Sequence, residues 1–287
     1  MLGSAIIWFL IGIGLLQLGA FLLWHSLVPL LPSLIVTLIA VWCGYSETAV
    51  GVILGAVAIN LAAVGLISLC VKSRTRSKTF VSIFWLVFGW GVCMVAGCGG
   101  FIGKFSGWSL MVVGAVVIWQ MASSKIKHRQ TNLNILPNKS KLYLQIGRLI
   151  LSLALIIMGA WLIVRQHAVI ATVLSIPVGI LGTVVLAPIC SLSVCFKLRP
   201  NGQWQTEEII PNLCWTNALL ATMGLGLTIV CCGGLHLTQS MLAITLPCVA
   251  GMTILALAMN YLLTKTARWW GGLLVITYLG YVISLLV

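Results

Sequence analysis

Polar residues interrupt this chain rarely, and the stretches between interruptions are long. Ten apolar runs stand out, at about 5–24, 28–43, 48–71, 80–101, 107–124, 144–164, 168–195, 212–235, 238–263 and 269–286. Most reach the ~20 residues that an α-helix needs to cross a bilayer. They do not alternate polar with apolar, as the strands of an outer-membrane barrel would. The pattern predicts an all-α, polytopic membrane protein of about ten transmembrane helices. The second run is short, with Pro29 and Pro32 at its start, where proline is tolerated. The seventh is long and carries Pro177, Gly179, Gly182 and Pro188, so it is predicted to bend or break. The longest polar stretch, Lys125 to Lys141, divides the runs five and five. The predicted organisation is a first five-helix repeat over 1–124, a basic linker over 125–143 and a second five-helix repeat over 144–287.

Composition agrees with the pattern. The chain is 61% hydrophobic and 7% charged, with a mean hydropathy of +1.16, which no water-soluble domain matches. A net charge of +13 would attract nucleic acid if it were gathered on a soluble surface. Here the basic residues sit between apolar runs, as topology signals do, so the expected partner is the lipid bilayer and not nucleic acid. With ten spans, fourteen of the sixteen Lys and Arg residues fall on one side, and only Lys104 and Arg165 on the other. Positive charge stays cytoplasmic. Both termini are therefore expected to be non-cytoplasmic and the linker cytoplasmic, in a cell membrane or bacterial inner membrane. The first run is of full span length with no small-residue cleavage site after it, so no cleavable signal peptide is expected. The ten cysteines show no C-x-x-C pair and no metal spacing with histidine, and read as small apolar packing residues.

The acidic residues change the picture more. There are three, and none is aspartate. Glu207 and Glu208 lie in a polar stretch that reads as a loop. Glu47 is the one carboxylate at or near membrane depth, where burying a charge costs about 2.5–3.5 kcal/mol on insertion scales. Two roles fit it. Ser46-Glu47-Thr48 reads as a helix start, and a carboxylate in a first turn suits the helix dipole. Alternatively it is a functional acid facing the bundle interior.

The two halves resemble each other. LGAFLLWH (Leu18 to His25) aligns without gaps with MGAWLIVR (Met158 to Arg165), and KFSGWSLMVV (Lys104 to Val113) with RWWGGLLVIT (Arg268 to Thr277). The first match lies in the opening span of each half, the second at the start of the fifth. An odd number of spans per repeat turns the second repeat upside down, giving two inverted five-helix repeats. Inverted repeats are a transporter signature, with the site near mid-membrane between them. Gly19 and Gly159 are expected to be equivalent.

The chain also resembles the calcium/cation antiporters, the sodium/calcium exchanger superfamily. The tail Arg268-Trp269-Trp270-Gly271, followed by Leu273, Leu274, Tyr278 and Tyr281, looks like that family's ending, with Trp270 in place of its glutamate. The opening GIGLLQLGAFLL is similar to the family's first helix. VTLIAVWCGYSE (Val36 to Glu47) can be laid on the family's first signature, which puts Thr37 on its threonine and Glu47 on its acidic ligand. GVILGAVAIN (Gly51 to Asn60) falls on the asparagine motif and keeps Gly51, Gly55 and Asn60. In the second repeat, GTVVLAPICSLSV (Gly182 to Val194) keeps Gly182, Thr183 and Pro188 in part, but the acid position becomes Ala187 or Ile189. PNLCWTNALL (Pro211 to Leu220) offers Asn217 as the counterpart of the last asparagine.

The resemblance implies cation antiport by alternating access, transport and not catalysis, and an ion site of Glu47, Asn60, Asn217 and Thr37. Glu47 is expected near the break between spans two and three, within reach of span three or of Asn217. No cofactor is expected; the bound species would be the transported ion, Na+, Ca2+ or H+. One carboxylate provides poorly for Ca2+, which takes six to eight oxygens, so a monovalent ion or a proton is chemically easier. Asn60 and Asn217 fit interhelical hydrogen bonding equally well. Two other readings stand. One is a ten-helix drug/metabolite-type carrier of a small organic solute, with Trp42, Trp119 and Trp215 as cavity lining. The other is a degenerate member kept as a non-transporting membrane scaffold.

Overall fold

The computed structural model describes residues 2–22, 30–70, 76–97, 99–129, 139–196, 206–262 and 267–286. Among them the chain forms ten helices, one for each apolar run. They are α1 (Leu2–Leu22), α2 (Leu31–Trp42), α3 (Ser46–Cys70), α4 (Arg76–Gly97), α5 (Lys104–Arg129), α6 (Lys139–Leu174), α7 (178–196), α8 (206–232), α9 (241–262) and α10 (Ala267–Leu286). Two short strands, β1 (Phe101–Ile102) and β2 (Leu235–His236), pair antiparallel with Phe101 opposite His236. Seven helices are long and apolar enough to cross a membrane; α2, α7 and the Ile83–Gly97 part of α4 are shorter apolar helices. The protein is a polytopic membrane protein.

Burial sorts the helices. The membrane-length windows of α3 and α8 are 89% and 83% buried, whereas those of α1, α5, α6 and α10 are 22–33% buried. A helix that is apolar all round belongs inside a bundle, and α3 and α8 form its centre. The others present one face to lipid.

Local chemistry explains the helix ends. Pro32 lies in the first turn of α2, where its missing N–H costs nothing; Pro29 lies outside the described residues. At the other end Gly44, at φ +82°, turns the chain. Its N–H bonds to the Val41 carbonyl, and that of Tyr45 to the Ala40 carbonyl. Three residues thus join α2 to α3, and α3 starts at Ser46 with Glu47 in its first turn.

Two expectations about boundaries are corrected. The sequence put a break between spans six and seven near Arg165-Gln166-His167, but α6 runs on to Leu174. Its polar residues are accommodated in place: the Arg165 guanidinium lies 5.2 Å from the Trp161 ring centre, and the His167 ring nitrogens both have partners. The chain turns instead at Ser175 (φ +54°) to Pro177. Glu207 and Glu208, read as loop residues, belong to the first turn of α8, which begins at Thr206. In the Lys125–Lys141 stretch, α5 continues to Arg129 and α6 begins at Lys139; residues 130–138 lie outside the described ones.

The predicted irregularity of α7 is a π turn, 182–186, after which the Ala187 N–H bonds to the Gly182 carbonyl. A second opens α9 at 241–245, with the Leu246 N–H on the Met241 carbonyl. These two end two residues before a proline, Pro188 and Pro247; a third, 220–224 in α8, has no proline after it. A proline ring clashes with the carbonyl four residues back, and the wider turn gives it room.

The halves are related as inverted repeats. A shift of 140 residues carries Gly12 to Ser152 and Gly19 to Gly159. A Cβ on Gly12 would sit 3.0 Å from the Gly159 carbonyl oxygen, and one on Gly19 would sit 2.7 Å from that of Ser152. The contact Gly12–Gly159 thus maps onto Ser152–Gly19, as a two-fold axis between α1 and α6 requires. Gly107 on α5 packs against Gly226 on α8 just as Gly271 on α10 packs against Gly65 on α3.

The connecting turns at one end of the bundle gather together. β1 meets β2, the Leu237 N–H bonds to the Gly100 carbonyl, and Glu47, Pro177, Thr238 and Leu285 surround one small cavity.

Candidate ion site

The residues singled out from the sequence fall in two places, and the depth of α3 separates them. Glu47 and Asn60 ride on one uninterrupted helix of 25 residues. Thirteen residues at 1.5 Å rise put them about 20 Å apart along its axis, so they do not share an ion. The reach from Glu47 to Asn217 predicted from sequence is also absent, because Asn217 is bonded to Asn60.

Asn60 lies near the middle of α3. Its Nδ2 donates to Oδ1 of Asn217 on α8 at 2.9 Å, and Nδ2 of Asn217 approaches the Val57 carbonyl at 3.5 Å. Both side chains are buried. One turn away on either side stand Ala56, Val57, Val64, Leu213, Cys214 and Ala221, all buried. One amide–amide hydrogen bond thus links α3 and α8 across the centre of the bundle. The two asparagines are partners across the two halves. The second acid position is closed as well. A Cβ on Gly55 would lie 2.6 Å from that of Ala187, so α3 and α7 touch where a carboxylate side chain would need space.

Thr37 is buried on α2, and its hydroxyl has no hydrogen-bond partner among the described residues. It is not part of the Glu47 cavity or of the amide pair.

Glu47 stands at the end of the bundle where the turns gather. It is half-buried, and its Cβ lies against the backbone of Gly179 on α7. It makes no hydrogen bond or ion pair to another described residue. It borders a cavity of about 40 Å³ whose other polar lining residues are Thr183, Thr238, Ser240 and Thr245. That volume holds one water or one small ion. Behind Thr183 and Thr245, the hydroxyl of Tyr281 on α10 faces both. It is 1% exposed and closes no hydrogen bond of good geometry among the described residues. Glu47 comes from the first half, and the remaining walls from α7, α9 and α10 of the second. Among the described residues no three His, Cys, Asp or Glu side chains gather as a metal would need.

A second polar cluster adjoins this one. Thr48 Oγ1 lies 3.0 Å from Nε2 of the fully buried His167 and 3.5 Å from the Val178 carbonyl; Nδ1 of His167 lies 2.9 Å from the Val164 carbonyl. Sequence reading missed it by taking His167 for part of a connection. The signal was there: a histidine inside an apolar stretch. Thr245 carried no signal at all.

The tryptophans do not line a common cavity. Trp42 is 92% exposed and borders a lateral groove with Trp161, Trp119 is exposed on α5, and Trp215 is buried on α8.

Comparison with known proteins settles the architecture. No protein-family profile matches the chain, and no curated protein matches it in sequence. Solved structures do. The sodium-calcium exchanger NCX_Mj, soaked with Na+ and Sr2+, superposes with a TM-score of 0.64 over 99% of both chains at 17% identity. YfkE superposes with a TM-score of 0.71 over 98% of this chain and 91% of its own, at 11% identity. The fold is that of the sodium/calcium exchanger. At such identities the likeness speaks for the fold, and the site has to be judged on its own residues.

Proposed function

We propose that the protein is a membrane transporter that works by alternating access on an exchanger fold and carries a small monovalent cation or a proton, with Glu47 as the carboxylate that meets it. The observation that carries this is the cavity at Glu47. It joins the two halves of the molecule, it has one formal negative charge, and its other polar lining residues are threonines and a serine. One carboxylate with neutral oxygens suits a singly charged ion; Ca2+ takes six to eight oxygens, with several carboxylates as a rule. A rocking motion of one repeat against the other would open and close such a junction. The Asn60–Asn217 pair, deeper in the bundle, would be a further polar point on a path through it. The bias of basic residues supports non-cytoplasmic termini, a cytoplasmic 125–143 linker and a Glu47 cavity facing the non-cytoplasmic side.

The test is flux. Protein reconstituted in liposomes should move Na+ or H+ down an imposed gradient, and Glu47→Gln should abolish that movement while leaving expression and detergent stability intact. One observation favours the scaffold reading instead: the amide pair and the Gly55–Ala187 contact leave the centre of the bundle closed. Folded protein that moves neither Na+, H+ nor Ca2+ would establish that reading and remove the transporter.

A further inference from the structure

We propose that His167 is the proton-binding residue of this transporter, held by a Thr48 hydroxyl that switches partner as the ring gains or loses its second proton, and that this proton and the ion at Glu47 exclude each other. The coupling to the ion rests on the transport reading above; the proton site rests on geometry alone.

The hydrogen-bond directions follow from what each atom can do. A backbone carbonyl only accepts, so Nδ1 of His167, 2.9 Å from the Val164 oxygen, carries a hydrogen in every state. The variable proton is therefore on Nε2. When Nε2 is bare, the Thr48 hydroxyl, 3.0 Å away, donates to it. When Nε2 is protonated it donates to the Thr48 oxygen, and the hydroxyl hydrogen turns to the Val178 carbonyl, 3.5 Å from the same oxygen. Both states keep every ring nitrogen bonded, and only one hydroxyl rotates. A histidine used purely for packing has no need of that second acceptor. Burying a charge costs several kcal/mol unless its polar atoms are satisfied, and here they are in both forms. On uptake an N–H bond forms at Nε2 as an O–H bond of hydronium breaks and leaves water; on release the proton returns to water and Nε2 regains its lone pair.

The switch spans the molecule. His167 belongs to α6, Thr48 to α3 and Val178 to α7, so protonation reverses the α3–α6 bond and adds one between α3 and α7. Thr48 is also the next residue after Glu47, and Gly182 of α7 packs on its backbone. A charged imidazolium and a metal cation in this region repel each other strongly, since the surroundings are poorly polarisable.

The other ionisable groups on the elements packed against His167 are few. Tyr45, in the turn before α3, stands edge-on to the ring at 5.9 Å; α3 itself carries Glu47 in its first turn and Cys70 at its far end. Cys43 closes α2, Cys190 is buried on α7 with Cys195 further along it, α1 carries none, and on α6 Arg165 points outward while Lys139, Lys141, Tyr143 and Arg148 lie toward its opposite end.

Histidine-selective 15N NMR of the full chain in lipid nanodiscs tests this, with the His167 signals assigned by their loss in His167→Gln. From about pH 9 down to about pH 5, the ring should pass from the Nδ1–H tautomer to the doubly protonated form. Thr48→Val should move that midpoint at least about tenfold lower in proton affinity, while Thr48→Ser should leave it near the wild-type value. Added Na+ should shift the midpoint to lower pH in the wild type and not in Glu47→Gln. A ring that stays neutral to about pH 5, an Nε2–H tautomer, an unchanged midpoint in Thr48→Val, or a midpoint indifferent to Na+ would each overturn the proposal. None of these readouts requires flux, so a protein that titrates as described but transports nothing would refute the transport reading separately.

Discussion

At the scale of the residue, the carboxylate and the amides answer to different forces. Glu47 sits in the first turn of α3, where the helix dipole favours its charge by about 0.3–1 kcal/mol, and it also borders the inter-half cavity. The two roles separate by experiment. Glu47→Gln keeps size and polarity and removes the charge; thermal unfolding in detergent should shift by less than about 1 kcal/mol, whereas flux should be lost. Asn60 and Asn217 are a different case. Asn217→Leu leaves the Asn60 amide without its acceptor in the core, which should cost about 1–3 kcal/mol, within the range where membrane helix pairs gain about 0.6–2 kcal/mol from such bonds. Asn60→Leu combined with Asn217→Leu removes both polar groups and should regain part of that loss. If the double variant is stable and still transports, the pair is interhelical glue. If it is stable and inactive, the pair lies on the ion path.

At the scale of the element, glycine sets how closely helices pass. A Cβ on Gly159 would lie 2.6 Å from the Leu16 nitrogen and 2.7 Å from the Gly12 carbonyl oxygen. Gly159→Val should push α6 off α1 and cost roughly 1–3 kcal/mol, the usual penalty of overpacking. Gly14→Ala, on the same α1 but with nothing near its Cβ position, should be neutral. Comparing the two melting temperatures in detergent checks the crossing itself, since both substitutions add only apolar atoms. This crossing was legible in the chain as the match of Gly19 with Gly159. The length of α6 was not: three polar residues looked like a connection, because a linear reading cannot see Trp161 beneath Arg165 or Thr48 beside His167.

At the scale of the whole molecule, ten helices alternate in direction, so the 43–45, 174–178 and 232–240 turns share one end and the charged connections share the other. Single cysteines in a background without native ones should be labelled from outside intact cells when placed at Thr238, and not when placed in the Lys125–Lys141 segment. Labelling in the reverse pattern would invert the molecule and put the Glu47 cavity on the cytoplasmic side.

Hydropathy by itself determined the helix count, the membrane environment and the five-and-five division, because a bilayer demands long apolar helices whatever surrounds them. Short matches between the halves carried the inverted repeat, because equivalent crossings need equivalent small residues. Only the tertiary structure decided which polar groups meet. Glu47 and Asn60 look like neighbours within fifteen residues of sequence, yet a straight helix holds them about 20 Å apart. Thr183, Thr245 and Tyr281, far apart along the chain and on three helices, converge behind Glu47 because α3 runs through the middle of the bundle and the second half closes around its end.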